Sequence, residues 1–283
     1  EGPASFSSDG TKMYFTRNNF YEGEKGADKK GINNLKIYTA DLVNGTWTNI
    51  KGVHFNNDEY SVGHPSVSED GGKLYFTSDM PGGIGGSDIY VVTINDDGTL
   101  GTPKNMGNIV NTEGNEMFPF IHNEGVLFFS SDGHVGFGLL DVFATIYDEN
   151  SNVVNILNLG EPINSSSDDF SYYLSKEGFD GYISSNREGG VGDDDIYKFT
   201  RIPPLMLKGQ IFDDANNEPI VDAKVVLKDA NGDEIAYFIT EVNGYYEHIV
   251  DRDANFKLEG SKEKYTNITK EFDSFNLDRE KEL

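Results

Sequence analysis

The sequence predicts an all-β protein in which a β-propeller precedes a small β-sandwich. Three observations predict this class. A motif recurs about every 53 residues, as between Phe76 and Phe129; side chains in its strands alternate with a period of two; and glycines and aromatic residues are abundant. Repeats of roughly 40–50 residues that contain several short strands are typical of propeller blades, whereas helical repeats would show a period of 3.6.

The propeller is assigned to residues 1–202, which contain four copies of the repeat. Each copy has a hydrophobic entry segment, a turn with glycine and an aromatic strand, followed at a matched distance by a second strand. Because a propeller closes its ring, we expect these four copies to be part of a five- or six-bladed ring that continues before residue 1, with four-bladed closure as the alternative. The copies begin at Gly2, Gly63, Met117 and Phe170, and their second strands at Leu35, Ser87, Leu140 and Asp194.

The sandwich is assigned to residues 205–283. The segment from Arg201 to Pro204 is the expected linker, because proline cannot donate a hydrogen bond to a β-ladder. The motifs of this second domain are Leu207–Gly209, Glu218-Pro219, residues 223–227 and residues 240–246.

The repeat sequences resemble TolB-type, WD40-like propeller repeats, and the second domain resembles carboxypeptidase-regulatory-like domains. The tandem resembles the PorE-like, OmpA-family envelope proteins of Bacteroidetes that are associated with the type IX secretion system. This resemblance implies a non-enzymatic periplasmic scaffold associated with the outer membrane as a lipoprotein. Its implied partners are an outer-membrane β-barrel or secretion-system protein, and peptidoglycan held by a further C-terminal domain.

Charge and composition exclude several other classes. The net charge of −25 disfavours nucleic acid and anionic lipid surfaces as partners, and no apolar run is long enough for a membrane span. The absence of cysteine removes disulfides, thiolate nucleophiles and iron–sulfur clusters. No cofactor is expected.

Sequence motifs for catalysis are also absent. The chain has no G-x-S-x-G elbow, no H-E-x-x-H pair and no phosphate-binding loop, so we expect that it is not an enzyme. The alternative is a glycan- or peptide-processing enzyme, or a carbohydrate-binding module, that uses the propeller as its platform.

Two sets of carboxylates are candidate site residues. Glu59, Glu116 and Asp169 are aligned just before the inner strand of three successive units. Around a ring they would form a negative funnel for a cation or a basic peptide, the alternative being a hydrogen bond from one blade to the next.

The second set contains Asp88, Asp141 and Asp195, each of which precedes an aromatic strand after a glycine-rich loop. We expect their side chains to accept hydrogen bonds from loop N–H groups. The acidic run 193–195 leaves Ca²⁺ binding open as an alternative, although no metal is assigned.

Overall fold

The computed structural model describes residues 2–18, 20–21, 24–202, 204–275 and 277. Pro203 of the expected linker and the charged end at 278–283 lie outside these residues. The described chain is all-β, with 49% strand and no helix, and it therefore contains no helix that could cross a membrane. It divides into two compact units, Glu1–Arg201 and Ile202–Leu283.

The first two sheets of the first unit are antiparallel and four-stranded, and a small hairpin branches from the first. Period-two alternation builds each strand, and Asp-Gly or Gly-Gly turns join the first two strands of each sheet, with Gly10 and Gly71 at φ 68° and 71°. The strands of sheet 1 are β1 (Ala4–Phe6), β2 (Lys12–Asn18), β5 (Leu35–Val43) and β6 (Thr46–Gly52), with β3 (Phe20–Tyr21) and β4 (Glu24–Lys25) as the hairpin; those of sheet 2 are β7 (Val62–Val67), β8 (Lys73–Ser78), β9 (Asp88–Thr93) and β10 (Lys104–Asn105).

The next two sheets repeat this antiparallel order. In each of the four sheets of the first unit, the first strand in the chain is an edge strand that pairs with the second. Sheet 3 contains β11 (Glu116–Ile121), β12 (Leu127–Ser131), β13 (Asp141–Tyr147) and β14 (Val153–Asn158); sheet 4 contains β15 (Asp169–Leu174), β16 (Asp180–Ser185) and β17 (Asp195–Thr200).

Successive sheets pack face to face through the alternating side chains of their second strands. In β8, Leu74 and Phe76 pack with Tyr14 of sheet 1, whereas Tyr75 between them packs with Phe129 of sheet 3. β12 divides its side chains between sheets 2 and 4 in the same way. Burial of each large apolar side chain contributes roughly 1.5–3 kcal/mol. Strands with bulk on both faces are thus explained by a neighbouring sheet on either side.

A repeated asparagine fixes the connection that leads into the next sheet. Asn111 accepts a hydrogen bond from the Ile89 N–H (2.8 Å) and donates to the Ile89 carbonyl (3.0 Å). Asn164 forms the same pair of bonds with Val142, and Asn56 forms them with Ile37. Each amide side chain thereby satisfies a backbone N–H group, and it shares the carbonyl with a backbone N–H donor, which is that of Val53, Met106 or Leu159.

The second unit contains two antiparallel sheets, one with two strands and one with four. Leu205 and Leu207 of the smaller sheet pack in one hydrophobic cluster with Leu227, Phe256 and Leu258 of the larger. The smaller sheet pairs β18 (Leu205–Gln210) with β21 (Tyr245–Val250); the larger has the order β20 (Glu234–Ile239), β19 (Lys224–Lys228), β22 (Asn255–Ser261) and β23 (Ile268–Asp273).

These observations confirm the all-β class. The closure of the first unit into a propeller, its blade number and the β-sandwich assignment stay predictions.

Candidate functional site

The first strands of all four sheets line one cavity of about 590 Å³. We call it the first-strand cavity. Its volume is in the range of small-molecule binding sites, roughly 300–1,000 Å³. The lining consists of residues 3–8, 64–67, 118–123 and 171–174, together with Glu69 and Lys176.

A β-bulge occurs at the same place in three of these first strands. His64, Phe118 and Ser171 have φ values of 53°, 52° and 53°, and the pairing register shifts beside each of them. A residue other than glycine rarely adopts this left-handed conformation, which costs roughly 1–2 kcal/mol. Bulges bend a strand and re-aim its side chains, and they are frequent at functional sites. All three bulged residues line the cavity.

Aromatic rings cover much of the lining. The His64 and Phe118 rings stack with centroids 4.1 Å apart and an interplanar angle of 11°, and Phe120 and Tyr173 rings lie 5.2 Å apart. Burial lowers the pKa of His64 to about 4, so its imidazole is neutral at physiological pH. The Tyr173 and Phe6 side chains remain 48% and 51% exposed and are accessible to a ligand.

Hydrogen bonds between first strands hold the wall in place. The Val67 N–H donates to Ser5 Oγ, and the Ile121 N–H donates to Ser66 Oγ, each at 3.0 Å. Each serine therefore joins its own sheet to the next one, which makes the lining a preformed surface.

The charged side chains of the cavity compensate each other. Glu69 and Lys176, from the first hairpin turns of sheets 2 and 4, form an ion pair. They are the only aspartate, glutamate, lysine or arginine residues among the described lining residues. The cavity is therefore electrically neutral, although the chain carries a net charge of −25.

The candidate carboxylates Glu116 and Asp169 do occupy equivalent positions, at the first residues of β11 and β15, but both are fully buried. Glu116 accepts hydrogen bonds from the Thr112 N–H (2.8 Å) and from the hydroxyls of Thr112 (2.6 Å) and Ser131 (2.7 Å). Such groups anchor the loop that enters the sheet. The expected negative funnel is therefore wrong for these two residues, because neither carboxylate is exposed to a ligand.

Glu59 does not share that position. In sheet 2 the equivalent position is occupied by Val62. Val62 pairs with Ser78, just as Glu116 of sheet 3 pairs with Ser131. Glu59 is exposed and lies 3.4 Å from Lys29 Nζ. Its alignment with Glu116 was wrong because Glu59 lies three positions before Val62, in the loop that precedes β7.

The three turn aspartates accept hydrogen bonds from the glycine-rich loops that precede them. Asp88 accepts from the Ile84 N–H (2.6 Å), Asp141 from the Phe137 N–H (2.5 Å), and Asp195 from the N–H groups of residues 191 and 192 (2.7 and 3.0 Å). Burial is the main cause that raises the pKa of Asp141. In the described part of the chain, no three His, Asp or Glu side chains are grouped to hold a metal ion.

Sequence reasoning missed the first-strand cavity. The signal was present in the repeat alignment, since His64, Phe118 and Ser171 follow one another at spacings of 54 and 53 residues. Their shared left-handed conformation has no residue-type signature, because it arises from strand pairing and not from glycine.

No family model matches the sequence, and no curated protein matches it. Similar solved structures include an α-L-arabinofuranosidase from Lactobacillus brevis, with 14% identity, a TM-score of 0.41, and coverage of 75% of this chain and 72% of that one. Prolyl oligopeptidase B from Galerina marginata has 12% identity, a TM-score of 0.44 and coverage of 91% and 38%. A Hadza microbial sialidase has 11% identity, a TM-score of 0.42 and coverage of 93% and 56%. The chain thus spans less than two thirds of the oligopeptidase and of the sialidase.

These comparisons contradict the expectation of a non-enzymatic periplasmic scaffold, because the similar structures are those of enzymes. They agree better with the alternative, a glycan- or peptide-processing enzyme or a carbohydrate-binding module that uses the propeller as its platform. The expectation that the chain is not an enzyme is not confirmed. At TM-scores of 0.41–0.44, the similarity transfers no substrate and no catalytic residue to this chain.

Proposed function

We propose that the first unit is a propeller-like carbohydrate-binding module whose first-strand cavity holds a glycan. The arrangement that supports the propeller is the serial packing of four sheets whose first strands line one cavity. Blades of a propeller place their first strands around a shared axis in this way. We also infer that the two sheets of the second unit form a β-sandwich, because they share one hydrophobic cluster.

The observation that carries the proposal is the chemistry of the cavity wall. Exposed rings of Phe6 and Tyr173 lie on a lining that also contains serine hydroxyls and the Asn123 amide. A pyranose ring has an apolar C–H face that packs on an aromatic ring and a rim of hydroxyls that exchange hydrogen bonds with polar groups. Tyrosine offers both an apolar face and a polar tip. A neutral sugar therefore matches both components of the lining.

Charge separates this ligand from the basic peptide considered at first. The only acidic side chain of the described lining, Glu69, is already paired with Lys176. A cationic peptide would meet no free carboxylate among the described lining residues, and an anionic ligand would meet no free lysine or arginine there, because Lys176 is the partner of Glu69. A neutral oligosaccharide has neither disadvantage.

The experiment is a glycan array with the full chain, followed by titration calorimetry with the best ligand. We expect Tyr173→Ala and Phe6→Ala each to weaken binding about tenfold, since a stacked aromatic ring contributes roughly 1–1.5 kcal/mol. Tyr237→Ala, at a 60% exposed tyrosine of the second unit, is the matched control and should bind as the wild type does.

Product analysis of the bound glycan then distinguishes a binding module from a glycan-processing enzyme. Failure of every neutral glycan to bind would refute the proposal, and so would binding that is unchanged by Tyr173→Ala and Phe6→Ala. The family resemblance and the periplasmic location stay predictions, which fractionation of cells that produce the full-length protein would test.

A further inference from the structure

The second unit leaves part of its core-facing surface uncovered. Its larger sheet has four strands, but the sheet that packs on it has two. Phe238 of β20 stacks on Tyr246 of β21, with ring centroids 6.0 Å apart, so the smaller sheet covers the β20 side. At the other side, Ile268 of β23 is 61% exposed although it lies opposite Gly260, which is buried. An apolar surface about one strand wide, at β23, is therefore exposed to solvent.

A lysine occupies this core-facing surface. In the register of β22 and β23, Phe272 lies opposite Phe256, Lys270 opposite Leu258, and Ile268 opposite Gly260. Directly opposed residues of an antiparallel pair project from the same face of the sheet. Phe256 and Leu258 are buried in the core. Lys270 thus projects from the apolar face of the sheet, where a hydrophobic residue is usual.

The open surface is the floor of a groove of about 520 Å³. We call it the edge groove. β18 forms its wall, and among the described strands only β21 pairs with it, on one side. The groove is lined mainly by Leu207 and Ile211 on the wall, and by Leu258, Ile268, Lys270 and Phe272 on the floor.

The charge of the edge groove differs from that of the whole chain. Its lining contains the three lysines 208, 262 and 270 against Asp213 and Asp214, whereas the chain has 23 basic against 48 acidic residues. Lys262 Nζ already donates to the Val221 carbonyl. Within the described second unit, the lysine ion pairs are those of residues 228 and 257 with Glu259, so Lys270 has no carboxylate partner.

We propose that the edge groove binds one amphiphile of the fatty-acid class. The apolar chain would lie along Ile268, Phe272 and Leu207. It would cover the apolar surface of the larger sheet that the two-stranded sheet is too narrow to cover. The carboxylate would pair with Lys270 and accept hydrogen bonds from the edge of β18 that does not pair with β21. The site lies in the second unit and is independent of the first-strand cavity.

The test is titration calorimetry of the full chain with dodecanoate below its critical micelle concentration. We expect saturable binding of one molecule, and weaker binding of dodecan-1-ol, which has the same chain without the charge. Lys270→Gln should weaken dodecanoate binding roughly fivefold and leave dodecan-1-ol binding unchanged. Lys264→Gln, at an exposed lysine of the preceding turn that is not part of the lining, is the matched control.

A second variant tests the apolar part of the groove. Ile268→Glu places an anion in the path of the chain and should weaken binding of both ligands about tenfold or more. Because Ile268 is 61% exposed, this variant should fold, and its thermal unfolding midpoint verifies that. The proposal is overturned by the absence of one-to-one dodecanoate binding, by equal affinities of Lys270→Gln and wild type, or by dodecanoate binding that survives Ile268→Glu. A groove that instead receives an extended peptide strand would give the first of these results.

Discussion

Arg187 Nη2 lies 2.5 Å from Oδ1 of Asp169, and the aspartate side chain is fully buried. The same guanidinium donates to the carbonyls of Pro162 (2.9 Å) and Ile163 (2.6 Å). One sheet earlier, His134 occupies the position of Arg187, and its Nε2 lies 2.8 Å from the Val110 carbonyl. The two repeats thus use different side chains to hold the same connecting loop. The guanidinium of Arg187 places a positive charge beside the buried carboxylate of Asp169.

Replacement of Arg187 by methionine should destabilise the first unit by about 3–5 kcal/mol, because it leaves the buried Asp169 carboxylate without its cation. Arg187→Lys should destabilise the first unit less, since lysine keeps the positive charge but lacks the planar guanidinium. The free energy of unfolding in urea measures both effects. Arg201→Met, which removes an exposed arginine, is the control, and a loss at Arg187 no larger than that at Arg201 would contradict the prediction.

Gly85→Ala should destabilise the protein by roughly 1–3 kcal/mol, as overpacking does. A Cβ at this position would overlap the Thr112 carbonyl oxygen and lie 2.6 Å from that of Gly114, so the loop of sheet 2 would be pushed away from sheet 3. Gly101→Ala is the matched control, because the nearest atom to its Cβ would be 3.6 Å away. Thermal unfolding compares the two variants; equal midpoints would show that the close approach is unimportant.

The stability of the first unit should fall as the pH is lowered from about 6.5 to about 4. The unfolded chain binds a proton at His64 near its ordinary pKa of 6.5, whereas burial lowers the pKa of His64 in the folded state to about 4. The unfolded state therefore binds more protons in this interval, which costs the folded state up to about 3 kcal/mol by pH 4.

His64→Phe tests this assignment. Phe118 adopts φ 52° at the equivalent position, so phenylalanine fits the bulge. Urea unfolding at pH 7 and pH 4.5 should show a smaller loss for this variant than for the wild type. His54→Phe, which removes an exposed histidine, controls for the loss of an imidazole. An identical loss of stability in His64→Phe and wild type would exclude His64 as the cause.

The Asp9 carboxylate should titrate near pH 2 in the folded protein. Hydrogen bonds from the Ser7 hydroxyl (2.5 Å) and from the Thr11 N–H (3.0 Å) and hydroxyl lower its pKa from 3.8 to about 2. The contribution of this turn to stability is present above pH 3.8 and is lost as the pH falls toward 2. Carboxyl ¹³C shifts followed by NMR measure the pKa, and Ser7→Ala should raise it. A titration midpoint of 3.8 in the wild type would contradict the prediction.

Much of the first unit could be predicted from local sequence. The alternation of Leu74, Tyr75 and Phe76 indicates a strand with two covered faces, and the structure places sheets 1 and 3 on those faces. The recurrence of Asp88, Asp141 and Asp195 after glycine-rich loops indicates side chains that accept loop N–H groups, which are near in sequence. Such contacts depend on a few neighbouring residues, so a repeat alignment contains them.

The candidate site depended on more than the alignment. Glu59 lies three residues before Val62, which is the residue of sheet 2 at the position that Glu116 and Asp169 share. An alignment of the repeat sequences does not reveal this difference in position, because strand register is set by pairing and burial across the sheet.

The sequence by itself determined the strand-rich repeats and the hairpin turns, because side-chain periodicity and turn chemistry are local properties. The tertiary structure decided which groups are buried, neutral or open to a ligand. His64 and Tyr173 come from different repeats, and Leu207 and Lys270 from different sheets, yet each pair lines one cavity. Their proximity results from how the sheets pack, and the free energy that fixes that packing is spread over the whole core.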